Sequence, residues 1–472
     1  MMEAARWRWL LTALLALGLG GCPGETPPCV GGFPSVAPVQ QLVGVGQEVS
    51  LSVTADLSRA CMEGGAVRAP ESVTVQVYDP QNQTVPATAT LPTGGATATL
   101  RFTPTVTGRH HVIVSFAPVG SLHQFGIHAM VSRDTERPMA RLTFEPNCVF
   151  LDRTTSGTWI CGPRALRDPA APAQVLSPPN PSLPTFTAVA GDVVWVVERE
   201  RVLRYVDRGT GDLELTGTAP FSDGTGNPSG SFYMGPHSRL ATEAELVLLT
   251  DNFLHRYTFT EPEGLTVFPT TRWSSTSGSR PTTLGQEGIA GMLVRAGGRV
   301  LVVSRVSDFQ TGGTQTQACP FQPGASGTFL AVSGEACHTL EGDPVGYEDG
   351  VLWMRVFNSN TGSALNSELL RRYTAASGRL EAQGELSMDG RLFMYPYLLR
   401  PGPSLPTVTA SGTPGPHAAP IWNAEQGTVE LELLPPTARD ANSAPHVGQH
   451  FIWADSLAAN GGVMVYPRQS TR

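Results

Sequence analysis

Hydrophobic and polar side chains alternate along several stretches of the first third of the chain, most clearly at residues 49–54, 73–77 and 97–102. A period of two puts one set of side chains on a buried face and the other set in water. Each stretch therefore predicts a half-buried antiparallel strand. Together the stretches predict a β-sandwich over residues 38–135.

A motif late in this region keeps the same period. It consists of Phe-Thr-Pro at 102–104, Thr-Gly at 107–108 and a strand over 110–116. The motif resembles the late strands of bacterial and filamin-type immunoglobulin-like domains, in which inward-facing residues follow a glycine turn at every second position. His110 takes the first inward position, which is usually a tyrosine. The resemblance implies an immunoglobulin-like β-sandwich.

The remaining sequence, residues 140–472, contains apolar strands spaced by about 50 residues. Their centres are Trp195, Leu248, Val302, Trp353 and Trp453. The last gap is about twice as long as the others, and a weaker candidate strand at 407–409 lies near its middle. A second strand that ends in Arg-Tyr follows three of these centres, at residues 204–205, 256–257 and 372–373.

One such repeat, with about four short strands, cannot bury both faces of its sheet alone. Repeats arranged radially can, so the pattern predicts a β-propeller over residues 140–472. We predict six blades, with seven as the alternative, and expect outer strands from residues 140–190 to close the ring. The turn at 207–213 resembles hairpins of quinoprotein-like and YVTN-like propellers. Each tyrosine of the Arg-Tyr pairs is predicted to pack between blades, with the arginine at the rim.

The N-terminus has the features of an export signal. Two arginines precede a nearly unbroken apolar run at 10–19, which is short for a membrane span and typical of a signal peptide. The sequence Leu-Gly-Gly-Cys at 19–22 resembles the lipobox of bacterial lipoproteins. The resemblance implies a signal peptide over 1–21 and lipid on Cys22, which would anchor the chain to a membrane. The alternative is an ordinary secretory signal with a chance cysteine.

A stretch rich in proline and glycine at 22–37 predicts a flexible tether between the lipid and the first domain. We expect an exported, lipid-anchored protein of the cell envelope. Pro23, rather than aspartate, after the lipid-bearing cysteine favours the outer membrane.

Six cysteines remain when Cys22 is set aside, and an even number in an exported chain indicates disulfides. Pairing of sequence neighbours is the simplest of fifteen connectivities. It would join Cys29 to Cys61, Cys148 to Cys161, and Cys319 to Cys337. A Cys/His metal site is the alternative, but no C-x-x-C spacing supports it.

Composition excludes several function classes. The net charge of -8 argues against nucleic acid as a partner. The chain has no lysine, which excludes pyridoxal enzymes and P-loop NTPases. Motif searches predict no catalytic, cofactor-binding or metal residues. Carboxylates on the loops at 207–214 and 341–349 could hold calcium, but solvated turns explain them without an ion.

The sequence therefore predicts a binding or scaffolding lipoprotein whose propeller recognises a protein or a glycan. Its candidate binding loops, 217–243 and 268–297, carry four aromatic residues. These are Phe221, Phe232, Tyr233 and Trp273. One alternative is a propeller enzyme, such as a lactonase, lyase or glycosidase-like hydrolase. Four scattered histidines are the candidate side chains for its active site. These are His237, His255, His338 and His450. Another alternative is an envelope assembly factor.

Overall fold

The structure is a computed structural model in which only part of the chain is described. It describes residues 41–55, 70–117, 121–132, 137–144, 148, 150–168, 171–177, 186–198, 200–221, 239–250, 253–273, 292–307, 314–348, 350–358, 367–375, 378–388, 392–395, 405, 407–410, 417–435, 445–455 and 462–468. Every regular secondary-structure element in these residues is a β-strand, which confirms the all-β prediction. The same residues contain no helix that is long and apolar enough to cross a bilayer.

The chain divides into two compact units. The first comprises residues 1–39 and 46–127, and the second comprises residues 40–45 and 128–472. The domain bounds predicted from the sequence stay a prediction. The strands up to residue 132 are β1 (Gln41–Gly44), β2 (Val49–Thr54), β3 (Ser72–Tyr78), β4 (Thr84–Val85), β5 (Ala87–Thr90), β6 (Thr97–Phe102), β7 (Gly108–Ala117) and β8 (Ser121–Ser132).

The first unit contains two groups of antiparallel strands. Strands β2, β6 and β5 form one sheet, and β7 pairs with both β3 and β8. Burial alternates along β2, β6 and β7, as the period of two predicts. The inward side chains include Val53, Leu100 and Phe116, which are almost fully buried. His110 takes an inward position on β7 and is also buried.

The second unit contains the remaining strands. They are β9 (Ala140–Leu142), β10 (Leu151–Arg153), β11 (Trp159–Cys161), β12 (Arg164–Leu166), β13 (Gln174–Val175), β14 (Phe186–Ala190), β15 (Val193–Val197), β16 (Arg201–Val206), β17 (Glu214–Pro220), β18 (Arg239–Ala241), β19 (Glu245–Leu249), β20 (Phe253–Thr260), β21 (Gly264–Val267), β22 (Thr271–Arg272), β23 (Met292–Ala296), β24 (Arg299–Ser307), β25 (Thr314–Pro323), β26 (Phe329–Ala331), β27 (His338–Leu340), β28 (Asp343–Glu348), β29 (Val351–Asn358), β30 (Ser367–Thr374), β31 (Glu381–Met388), β32 (Leu392–Tyr395), β33 (Thr407–Ala410), β34 (His417–Asn423), β35 (Thr428–Leu433), β36 (His446–Val447), β37 (Phe451–Asp455) and β38 (Val463–Pro467).

These strands form seven sheets within the described residues. In chain order the sheets comprise β10–β13, β14–β17, β18–β22, β23–β27, β28–β31, β32–β35 and β36–β38 with β9. Each is built from antiparallel neighbours, and the end of β8 adds to β35 in parallel. All five predicted strand centres lie on the second strand of a sheet, and the weaker candidate at 407–409 lies on β33, also a second strand.

Hydrophobic side chains pack each sheet against the next. In β15, Val193, Trp195 and Val197 pack towards the β18–β22 sheet, whereas Val194 and Val196 pack towards the β10–β13 sheet. A strand that is buried on both faces reads as a continuous apolar run, which explains the sequence Val-Val-Trp-Val-Val. The last sheet packs on the first in the same way, through a cluster that includes Trp453 of β37 and Trp159 of β11.

Strand β9 completes the last sheet by pairing antiparallel with β38. Strand β9 lies in the segment 140–190 that the sequence predicts to supply an outer strand there, so this prediction is confirmed, whereas residues 151–175 form a sheet of their own. The strands of that sheet are only two or three residues long. They are too short to produce a recognisable period of two, so the sequence did not reveal the additional sheet.

Two of the predicted disulfides are present, Cys148–Cys161 and Cys319–Cys337. The first joins the segment before β10 to β11, and the second joins β25 to the segment before β27. The predicted partners Cys29 and Cys61, like Cys22, lie outside the described residues.

Candidate functional site

The tyrosines of two Arg-Tyr pairs reach the preceding sheet. The hydroxyl of Tyr205 donates to the carbonyl oxygen of Leu176, which follows β13, at 2.8 Å. The hydroxyl of Tyr257 donates to the carbonyl oxygen of Pro220, at the end of β17, at 3.4 Å. Both rings are buried, so the predicted packing of tyrosine between sheets is confirmed at these two positions.

The arginines of two Arg-Tyr pairs, Arg204 and Arg372, reach the following sheet. Arg204 Nη2 donates to the carbonyl oxygen of Glu243 at 3.0 Å, and its guanidinium carbon lies 3.8 Å from the ring centre of Phe259. Arg372 lies 4.6 Å over the ring of Trp422. Arg204 and Arg372 are less than a tenth exposed, so the predicted rim position is wrong for both. A planar guanidinium can stack on a ring and donate hydrogen bonds at once, which makes it suitable for a buried junction.

A cavity of about 460 Å³ lies where the first strands of the sheets come together. Residues on or beside the first strands of six of the seven described sheets line it. The lining residues that carry its polar chemistry are Asp152, Arg239, Thr242, Arg295, Tyr347 and Gln449. Phe150 and several small aliphatic residues supply apolar wall. Cavities of roughly 300–1,000 Å³ with apolar walls and a few polar groups are typical small-ligand sites.

Arg239, the first residue of β18, is the most unusual residue of the cavity wall. Its side chain contacts two aromatic rings, with the guanidinium carbon 5.3 Å from the ring centre of Phe150 and 5.8 Å from that of Phe186. Among the described residues, none accepts a hydrogen bond from its Nε, Nη1 or Nη2, although all three atoms are buried. Burial lowers the pKa of Arg239 to about 9.

The second arginine in the wall, Arg295, is held in an ion pair. Its Nη1 and Nη2 each lie 3.1 Å from Oε2 of Glu245, and Arg256 Nε donates to Oε1 of the same carboxylate at 2.8 Å. Tyr347 accepts a hydrogen bond from the backbone N–H of Gly350 at 3.1 Å, which fixes its hydroxyl beside the cavity. The two arginines therefore differ: Arg295 belongs to an ion-pair network, and Arg239 does not.

Asp152, on β10, is the carboxyl group in the wall. Burial raises its pKa to about 6, although the backbone N–H of Arg153 donates to Oδ1 at 2.8 Å and the attraction of His450 acts in the opposite direction. The group therefore changes charge near neutral pH. With Arg239, it gives the cavity one acidic and one basic group on separate strands.

Two of the four aromatic residues predicted for binding loops, Phe221 and Trp273, lie in the described part of the chain. Phe221 and Trp273 are 6 % and 7 % exposed and lie in hydrophobic clusters. Trp273 Nε1 also donates to the carbonyl oxygen of Thr250 at 2.9 Å, so both side chains serve packing in this structure. Phe232 and Tyr233 lie outside the described residues.

The histidines considered for an enzyme do not gather in the cavity. His255 is buried with Nε2 3.1 Å from Thr250 Oγ1, and Nε2 of His338 lies 3.5 Å from the backbone nitrogen of Leu380. His450 lies close enough to Asp152 to attract its charge, and His237 is outside the described residues.

In the candidate calcium loop at 207–214, the first carboxylate is already bonded to other groups of the protein. Asp207 accepts hydrogen bonds from Thr154 Oγ1 at 2.6 Å and from the backbone N–H of Gly209 at 2.9 Å, and it forms an ion pair with Arg167. In the part of the chain that the structure describes, no three His, Cys, Asp or Glu side chains come together as a metal site would require.

Comparisons with known proteins give distant structural similarity alone. No protein-family model matches the chain, and no curated protein matches it. A quinoprotein alcohol dehydrogenase-like protein from Bacteroides thetaiotaomicron is 9 % identical, with 93 % of this chain and 98 % of that chain covered and a TM-score of 0.34. A protein from Lactobacillus plantarum is 12 % identical, with 76 % and 95 % covered and a TM-score of 0.32. The filamin domain of Lin-41 is 15 % identical, with 22 % and 98 % covered and a TM-score of 0.16.

Proposed function

We propose that this protein is an exported, lipid-anchored binding protein of the cell envelope. Lipid on Cys22 would hold it to the membrane, an immunoglobulin-like first unit would act as a stalk, and the second unit would be a seven-bladed β-propeller. Seven consecutive sheets, with β9 pairing to the last of them, support seven blades over six. The propeller recognises a protein or a glycan without a catalytic step.

The observation that carries the proposal is the cavity at the first strands of the sheets. Its wall combines apolar surface with polar groups from several separate sheets, so a ligand there would contact many elements of a rigid framework at once. A residue of a glycan or a side chain of a protein fits a cavity of about 460 Å³. The interlocked Arg-Tyr junctions favour a preformed site, which lowers the entropic cost of binding.

The experiment uses the full-length protein as bait on envelope extracts, with bound proteins and glycans identified by mass spectrometry. Ala241→Trp fills the cavity, since Ala241 lies in its wall and is only partly buried. Thr218→Trp, at an exposed position on β17, is the matched control. A partner that binds the wild type and Thr218→Trp but not Ala241→Trp is the expected result. Equal capture by all three proteins would remove the cavity from the proposal.

A further inference from the structure

The buried guanidinium of Arg239 lacks a counter-charge among the described residues. Its guanidinium contacts the uncharged rings of Phe150 and Phe186. Cation–π contacts stabilise a cation only weakly, whereas the burial of a charge without a partner strongly destabilises a protein. Proteins place such costly groups where a ligand completes them, as in sites that bind acidic groups through arginine.

We propose that the cavity binds a small ligand through a carboxylate group that pairs with Arg239. The inference rests on the proposed binding function and names the chemistry of its ligand. Arginine presents two parallel N–H groups that match the two oxygens of a carboxylate. Contacts with the rings of Phe150 and Phe186 restrict the guanidinium to few orientations, so little entropy is lost when the ligand binds.

The charge of Asp152 affects which kind of anion the cavity can bind. Asp152 also lines the wall, and its negative charge repels a dianion such as phosphate more than a carboxylate with a single charge. Arg295 is held in an ion pair by Glu245, a carboxylate that Arg256 shares, so its guanidinium is already engaged. Gln449 and Tyr347 provide amide and hydroxyl groups that can bind the hydroxyls of a sugar. A sugar acid is therefore the ligand class that these residues match best.

The experiment measures the melting temperature of the full-length protein by tryptophan fluorescence in the presence of D-glucuronate, D-glucose or inorganic phosphate. A ligand that binds the native state raises the melting temperature. We expect glucuronate to raise it for the wild type, and glucose and phosphate to have little effect at equal concentration and ionic strength. Glucuronate should not stabilise Arg239→Met, which keeps a side chain of similar length without the charge.

Arg208→Met is the control for net charge, because Arg208 is an exposed partner of Glu214 in the β14–β17 sheet, whereas Arg239 belongs to the β18–β22 sheet. It should keep the full response to glucuronate. Without ligand, Arg239→Met should melt at the same temperature as the wild type or higher, because it removes an uncompensated buried charge.

Three results would overturn the inference: no response of the wild type to glucuronate, an equal response of Arg239→Met, or a lower melting temperature of unliganded Arg239→Met. The last would show that Arg239 has an internal partner. The Ala241→Trp experiment tests the cavity without reference to charge. Capture that is lost in Ala241→Trp but kept in Arg239→Met would therefore leave the binding function standing and reject the carboxylate.

Discussion

Tyr205 and Leu176 join two neighbouring sheets of the second unit through one hydrogen bond, from the tyrosine hydroxyl to the leucine carbonyl oxygen at 2.8 Å. Both groups are buried, so the loss of the hydroxyl would leave a carbonyl group without this partner. The relationship gives the Arg-Tyr repeat a structural role that can be measured.

We expect Tyr205→Phe to destabilise the second unit by about 1 kcal/mol, the usual cost of one buried hydrogen bond. The ring stays in place, so the packing between sheets is retained. Unfolding in urea, followed by tryptophan fluorescence, is the measurement, because every tryptophan after the predicted signal peptide lies in the second unit. Tyr78→Phe, in the first unit, removes a hydroxyl that bonds at the surface and should leave this transition unchanged. Equal stability of Tyr205→Phe and the wild type would contradict the role of the bond.

Gly384, on β31, makes room for the ring of Trp422 on the next sheet. A Cβ atom at this position would lie 2.9 Å from the ring, closer than real Cβ contacts allow. Gly384→Ala should therefore destabilise the second unit by about 1–3 kcal/mol, the typical cost of overpacking. Gly298→Ala is the control, because its Cβ would meet no atom within 4 Å. Thermal unfolding of both variants tests the difference, and similar melting temperatures would show that Trp422 can move aside at little cost.

The fold was largely predictable because its central strands carry a strong signal. Runs such as the one around Trp195 are apolar at every position, since both faces of the strand are covered by neighbouring sheets. The β10–β13 sheet was not predicted, because strands as short as β11 show no recognisable alternation of apolar and polar residues. Only its position after the disulfide-forming Cys148 hints that the segment is ordered.

The candidate site was not predictable in the same way. Asp152 and Arg239 lie on the short first strands of two different sheets and are far apart in the sequence. Neither belongs to a local motif, because the cavity is assembled from different sheets. The aromatic residues Phe221 and Trp273 stood out in the sequence, but aromatic side chains beside strands are also what a core needs.

The predicted lipid anchor gives a separate test on intact cells. Cys22→Ala should abolish lipid attachment, so the protein should move from the detergent phase to the aqueous phase in Triton X-114 partition. Cys29→Ala is a matched control, because that cysteine is assigned to a disulfide rather than to lipid. Labelling with a fatty-acid analogue gives a second readout. If Cys22→Ala still partitions into detergent, the anchor lies elsewhere.

Asp152 should make the stability of the second unit depend on pH. Its pKa in the folded protein is about 6, above the unfolded value near 3.8, because burial disfavours the charged form. The folded state therefore holds its proton more tightly, so the contribution of Asp152 to stability falls as the pH rises from about 4 through about 6. Asp152→Asn keeps the shape and the acceptor for the Arg153 N–H but cannot ionise. We expect the variant to match the wild type near pH 4 and to become the more stable of the two above pH 6, as measured by urea unfolding monitored through tryptophan fluorescence. A stability difference that stays constant between pH 4 and pH 8 would mean that Asp152 keeps an ordinary pKa and that the cavity wall around it is well hydrated.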